Sequence, residues 1–175
     1  MSATANANGF YSKFLPKEHV HSFYDPSLIE KLIAKQEAFW QRGQKVHCLL
    51  ILDDVIGMDG VNMRAPPPEL QKLFTCNRHF GISLLISVQN VRAVPPICRN
   101  NSDFACIFKS LNVAKEILYR EYSNMPKKAF YEFLEEYTSN FRIIMYAARE
   151  QNPQKVYTVF KIPEAFLEKA FKLKF

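Results

Sequence analysis

Apolar positions along the chain follow two rhythms, a helical one and a strand-like one, and the two alternate. Asp25 stands as a helix cap before Pro26, and Leu28, Ile29, Leu32, Ile33, Phe39 and Trp40 then recur at helical spacing until Gly43. The next run, 46–52, is apolar throughout apart from His47; it ends in Asp53 and Asp54 and passes into a loop-like stretch over 57–68. Such a run predicts a strand buried on both faces. After Pro66, Pro67 and Pro68, Glu69 suits a first helical turn, and Leu70, Leu73, Phe74 and Asn77 continue a helix that Gly81 closes. A second apolar strand, 82–88, follows and ends at Gln89.

The same alternation continues to the end of the chain. A loop over 94–101 leads to a third buried strand at 104–108; Asn112 is placed to cap a helix through Tyr122, and a further helix covers 126–137. Two more strands are expected at 141–147 and 156–162, with Pro163 opening a C-terminal helix. Ahead of all this, residues 1–9 read as a frayed, disordered start. Residues 10–24 read as an irregular segment whose last part, 20–24, suggests a short strand. Strands alternating with helices specify an α/β fold with a mostly parallel central sheet flanked by helices, formed as one domain over 10–175.

Composition narrows the class. With 175 residues, 48% of them hydrophobic and only 5 glycines, the chain is globular and neither disordered nor fibrous. Its net charge of +6 is compatible with a polyanionic partner, but the basic residues are scattered, apart from Lys169, Lys172 and Lys174. The four cysteines, Cys48, Cys76, Cys98 and Cys106, suit a reduced, intracellular compartment, with no signal peptide and no membrane span expected. Cys76 and His79 have the spacing of half a zinc site without a second pair, so no structural zinc is expected.

The chemistry-bearing residues gather where strands end. In open parallel sheets, ligands bind beyond the carboxyl ends of the strands; here those positions carry Asp53, Asp54 and Gln89, with Arg99 in the loop before the third strand. Two adjacent carboxylates raise each other's pKa unless a cation or hydrogen bonds compensate, and Mg²⁺ would do so. In nucleotide hydrolases the first carboxylate holds Mg²⁺, the second polarises the attacking water, and a Gln on the neighbouring strand orients that water. A lone Asp-Asp after a strand also begins many solvated loops; the second strand with its terminal Gln favours the chemical reading.

The ordered segments LLILDDV, NRHFGISLLISVQN and PPICRNNSDFACIF resemble the packaging ATPases of large DNA viruses, the poxvirus-type branch of the FtsK/HerA superfamily of DNA-pumping P-loop motors. The resemblance covers 24–108 closely and the remainder, including KVYTVFKIP, more loosely. It implies a RecA/FtsK-HerA-like core in which Asp53 is the Mg²⁺-linked Walker B carboxylate, Asp54 the catalytic carboxylate and Gln89 the sensor. The arginine finger would be Arg78 or Arg99, and both remain open. It also implies ATP and Mg²⁺ as cofactors, double-stranded DNA and copies of the same chain in a ring as partners, capsid or portal components as further ones, and the host cytoplasm, virus factory or virion as the location.

One departure stands out. A phosphate loop needs glycines followed by Lys and Ser or Thr, and none of Gly9, Gly43, Gly57, Gly60 or Gly81 precedes such a pair. Family members carry the loop upstream, so the chain is expected to be N-terminally truncated, without the first strand, phosphate loop and first helix, and to hydrolyse ATP weakly or not at all. The alternatives are an inactive ATPase-like module that binds DNA or a motor, and a decayed gene fragment.

Overall fold

The computed structural model describes residues 1–5, 9–55 and 66–163. The expected C-terminal helix beyond Pro163, the lysines at 169, 172 and 174, and Gly57 and Gly60 lie outside the described residues. The chain is mixed α/β with a parallel sheet and flanking helices, and its contacts fall into two compact units, Met1–Asn101 and Ser102–Phe175, where the sequence suggested one domain.

In the first unit, helix α1 (Pro26–Gln41) starts as the sequence predicts: the Asp25 side chain accepts from the Ser27 N–H at 2.9 Å, and the chain leaves the helix through Gly43 at φ 75°. Strands β1 (Cys48–Asp53) and β2 (Ile82–Ser87) pair in parallel, with Asp53 opposite Ser87, and are joined through α2 (Pro68–Cys76) and a 3₁₀ turn at Asn77–Phe80. A short helix, α3 (Pro96–Asn100), forms within the expected loop.

Gly81, at φ 63°, ends the 3₁₀ turn, and its carbonyl accepts from the Cys48 N–H at 3.0 Å, which sets the start of the register. One face of the pair, Cys48, Leu50, Leu52, Ile82, Leu84 and Ile86, packs with Ile29 and Ile33 of α1 and Leu70, Leu73 and Phe74 of α2 into a single core.

Two expectations change in this unit. Residues 1–5 are not frayed: Ser2 bridges Asp53 in parallel, the Asp53 N–H donates to the Met1 carbonyl at 2.9 Å, and the Ala3 N–H donates to the Asp53 carbonyl at 3.2 Å. Residues 20–24 form no strand. Instead Tyr24 turns inward and donates to Glu69 at 2.7 Å, while the His21 carbonyl receives the Ser2 N–H.

The second unit is built on β3 (Phe104–Ile107), β4 (Arg142–Ala147) and β5 (Tyr157–Lys161), paired antiparallel in that order. Parallel pairing is therefore confined to the first unit among the described residues. The nine-residue link between β4 and β5 is too short for a parallel crossover, which takes a dozen or more residues.

Helices α4 (Asn112–Tyr122) and α5 (Lys127–Tyr137) bury Leu118, Phe130 and Leu134 with Ile107 and Ile144. Asn112 lies inside α4, whose cap position is Leu111, so Asn112 does not cap it. The strands are not buried on both faces: in β1 and β2 Leu49 is 60% and Leu85 52% exposed, and in β3 Phe104 is 62% exposed. The sequence writes apolar residues on both faces, whereas the described helices cover one.

Candidate active site

β1 and β2 are equal in length and in register, so their last residues lie side by side. Alternation sends Asp53 and Ser87 to the face that α1 and α2 leave open. The Asp53 carboxylate is held by hydroxyls from three parts of the chain. Ser87 Oγ donates to Oδ1, Ser2 Oγ donates to Oδ2 at 2.9 Å, and the Tyr11 hydroxyl also hydrogen-bonds the carboxylate. Burial works to raise the Asp53 pKa, but these donors outweigh it and hold the carboxyl below its ordinary range. Burial and the bond to Asp53 together push the Tyr11 phenol up.

Asp54 follows in the left-handed region at φ 51°, unusual for a residue other than glycine. Two acceptors on Ser87 hold it there: its N–H lies 3.3 Å from the Ser87 carbonyl and 3.2 Å from Ser87 Oγ. Gln89 Nε2 then donates to Asp54 Oδ2 at 2.8 Å. Asp53, Asp54 and Gln89 are thus brought together as the sequence predicts, with one carboxylate fixed by hydroxyls and the other by an amide.

Arg78 does not join them. It sits in the turn before β2, at the amino end of that strand, whereas the acids lie beside its carboxyl end, where Asp53 of β1 pairs with Ser87; Arg99 in α3 donates through Nη1 to the Val94 carbonyl. Sequence reasoning missed Ser87, Ser2 and Tyr11. Ser87 carried a signal, being a hydroxyl at the last position of a strand in register with Asp53; the other two carried none.

No cluster of three or more His, Cys, Asp and Glu side chains that could hold a metal occurs among the described residues. Mg²⁺ takes one or two carboxylates and completes its shell with water and phosphate, a requirement that Asp53 with Asp54 would fit. No helix among the described residues is long and apolar enough to cross a membrane.

The architecture is that of viral genome-packaging NTPases. The structure of the genome packaging NTPase B204 from Sulfolobus turreted icosahedral virus 2 in complex with AMPPCP superposes with a TM-score of 0.58 at 17% identity, over 79% of this chain and 63% of that one. The crystal structure of B204, the DNA-packaging ATPase from Sulfolobus turreted icosahedral virus, gives 0.58 at 17% identity, over 85% and 65%.

The sequence is more specific: the poxvirus A32 protein family matches residues 3–159, and the chain belongs to that family. Uncharacterized protein 088R of Invertebrate iridescent virus 3 is 30% identical over 144 residues, 81% of this chain and 54% of that protein. Uncharacterized protein 015R of Frog virus 3 is 28% identical over 145 residues, 81% and 44%. The chain therefore spans about half the length of these relatives.

Proposed function

We propose that this chain supplies the acidic half of the ATP-hydrolysing site of a motor that drives double-stranded DNA into a viral capsid. The observation that carries the reading is the bond from Gln89 to Asp54 beside a pre-positioned Asp53, at the carboxyl ends of two parallel strands. Family membership and likeness to packaging NTPases support it, and the net charge of +6 suits a DNA partner.

Asp53, kept ionised by its three hydroxyl donors, would hold Mg²⁺ through water. Asp54 accepts a proton from the attacking water, and Gln89, already bonded to Asp54, orients that water. Bound Mg²⁺ would neutralise charge developing on the phosphates. Arg78 lies at the far end of β2 from its own acids, so as a finger it serves a neighbouring copy in a ring, whereas Arg99 stands on the acid side.

The test is ATP turnover in a chain joined to a phosphate-loop segment. Asp54→Asn should lower kcat by at least ~10²-fold with nucleotide affinity retained, whereas an unchanged kcat would remove Asp54 from its role. A second reading, a non-hydrolysing DNA-binding module, is favoured by the missing G-x-x-x-x-G-K-[ST] pattern. It predicts DNA binding that weakens steeply with salt and ignores nucleotide.

A further inference from the structure

The three-stranded sheet of the second unit has one face packed by helices and one that is not. Ile107, Ile144 and Val159 pair across β3, β4 and β5 on the packed face. Ring contacts identify what covers that face: Tyr122 of α4 lies 5.3 Å from Tyr146, and Phe133 of α5 lies 5.2 Å from Tyr157, both on the Ile144 side.

Strand alternation sends Phe104 and Cys106 of β3, Ile143 and Met145 of β4, and Phe160 of β5 the other way. There Cys106 stands opposite Met145, and Ile143 opposite Phe160. Phe104 is 62% and Phe160 48% exposed, and the Cys106 thiol is exposed too. A face carrying two phenylalanines and two long aliphatic side chains calls for cover.

The chain supplies a matching partner immediately after β5. Residues 164–175 lie outside the described residues, but their sequence is amphipathic: Phe166, Leu167, Ala170, Phe171 and Leu173 share one side of a helix, with Glu168, Lys169 and Lys172 on the other. Pro163 and Glu164 suit the first turn of such a helix, and Lys172 and Lys174 the last. As a helix the segment would run about 18 Å, close to the roughly 20 Å of the six-residue β4.

The tether limits where it can go. The Ile162 N–H donates to the Phe141 carbonyl at 3.0 Å, which holds the chain against the end of the sheet up to the residue before Pro163. From that point a helix that buries its apolar stripe must return along the sheet, and α4 and α5 already occupy one face. We propose that residues 164–175 fold back as a helix over the open face of β3, β4 and β5, setting the stripe from Phe166 to Leu173 on Phe104, Cys106, Met145 and Phe160.

Cys106 makes the proposal measurable. The full chain is treated with iodoacetamide, and the alkylation rate at Cys106 is followed by mass spectrometry of the peptide that contains it. Leu167→Glu and Phe171→Glu, and a chain ending at Pro163, should each react roughly 10- to 100-fold faster at Cys106 than the unaltered chain, because each removes apolar contact from the cover. Lys172→Glu, on the outward side of the helix, should react like the unaltered chain. The two Glu variants leave every residue of the sheet in place, so the result does not hinge on the shortened chain folding.

Hydrogen exchange over 166–173 should be slow in the unaltered chain and fast in Phe171→Glu. Equal alkylation rates in all four variants and the unaltered chain, or fast exchange over 166–173 in the unaltered chain, overturn the proposal. So does protection of Cys106 that grows with protein concentration, because a second copy would then be the cover.

Discussion

Replacing Ser87 with alanine removes one atom that touches both acids. Ser87 Oγ donates to Asp53 and accepts from the Asp54 N–H, so the substitution takes a donor from a carboxylate and one of two acceptors from a left-handed residue. A hydrogen bond to a charged group contributes about 1.5–3 kcal/mol when buried; Ser87 is exposed, which brings the expected loss to about 1 kcal/mol. Asp54 keeps the Ser87 carbonyl at 3.3 Å, so its amide is not orphaned and the loss stays near that figure.

The single tryptophan, Trp40, lies in α1 with its Nε1 donating to the Val46 carbonyl at 3.3 Å, so its fluorescence reports the first unit. With a urea slope of about 1–2 kcal/mol/M, the midpoint should fall by roughly 0.5–1 M, and Ser87→Thr, which keeps the hydroxyl, should restore most of it. An unchanged midpoint, or a threonine variant no better than alanine, would refute the role given to this hydroxyl.

Other substitutions probe the frame around the site. Gly81→Ala meets both a φ of 63° and a Cβ position 2.8 Å from the Val46 carbonyl and 2.8 Å from Trp40 Nε1; it should cost about 2 kcal/mol or more and shift Trp40 emission, checked by the same melt. Tyr24→Phe leaves the buried Glu69 carboxylate without its 2.7 Å donor and should cost about 1–3 kcal/mol in that melt.

In the second unit, Lys127 and Tyr131, with Arg120, hold Glu116 at about 2, below its ordinary 4.5. Because the folded value is the lower one, the stabilisation is complete above about 4.5 and is lost as pH falls toward about 2. Thermal melts followed by circular dichroism should therefore show Glu116→Gln below the unaltered chain at neutral pH and level with it near pH 2.

What could be read from the sequence was local. Asp25 before Pro26 and Gly43 mark the ends of α1 through a few neighbouring residues, and the structure keeps both; α2 stops at Cys76, ahead of the end expected at Gly81, which instead closes the 3₁₀ turn that follows. Asp53, Asp54 and Gln89 were legible because strand ends are where polar groups converge. Ser2 was not, since 51 residues separate it from Asp53 and only the pairing of residues 1–3 with β1 brings them together.

Direction was equally hidden in the second unit. Apolar runs at 104–108, 141–147 and 156–162 say that strands form, not which way they pair. The overlooked clue was the short link with Asn152 and Pro153, where the Asn152 side chain accepts from the Gln154 N–H at 3.0 Å. The misread burial has a different cause: residue type records the cover a strand calls for, and Leu49 and Leu85 call for more than the described helices provide.

The two arginines differ in a way that bears on assembly. β2 runs from Ile82 to Ser87, with Arg78 before its first residue and the partner of Asp53 at its last, so about 17 Å of strand separates that guanidinium's backbone from the acids of the same chain. No rotamer change closes such a gap, because the strand between them is fixed by its register with β1. A role for Arg78 at a nucleotide therefore demands a second copy whose acids face the Gly81 end of this sheet. Arg99 makes no such demand, but its Nη1 donates to the Val94 carbonyl, and reaching a phosphate would break that bond. Under the proposed function, a subunit using Arg78 would complete its neighbour's site and not its own, whereas one using Arg99 would not require a neighbour.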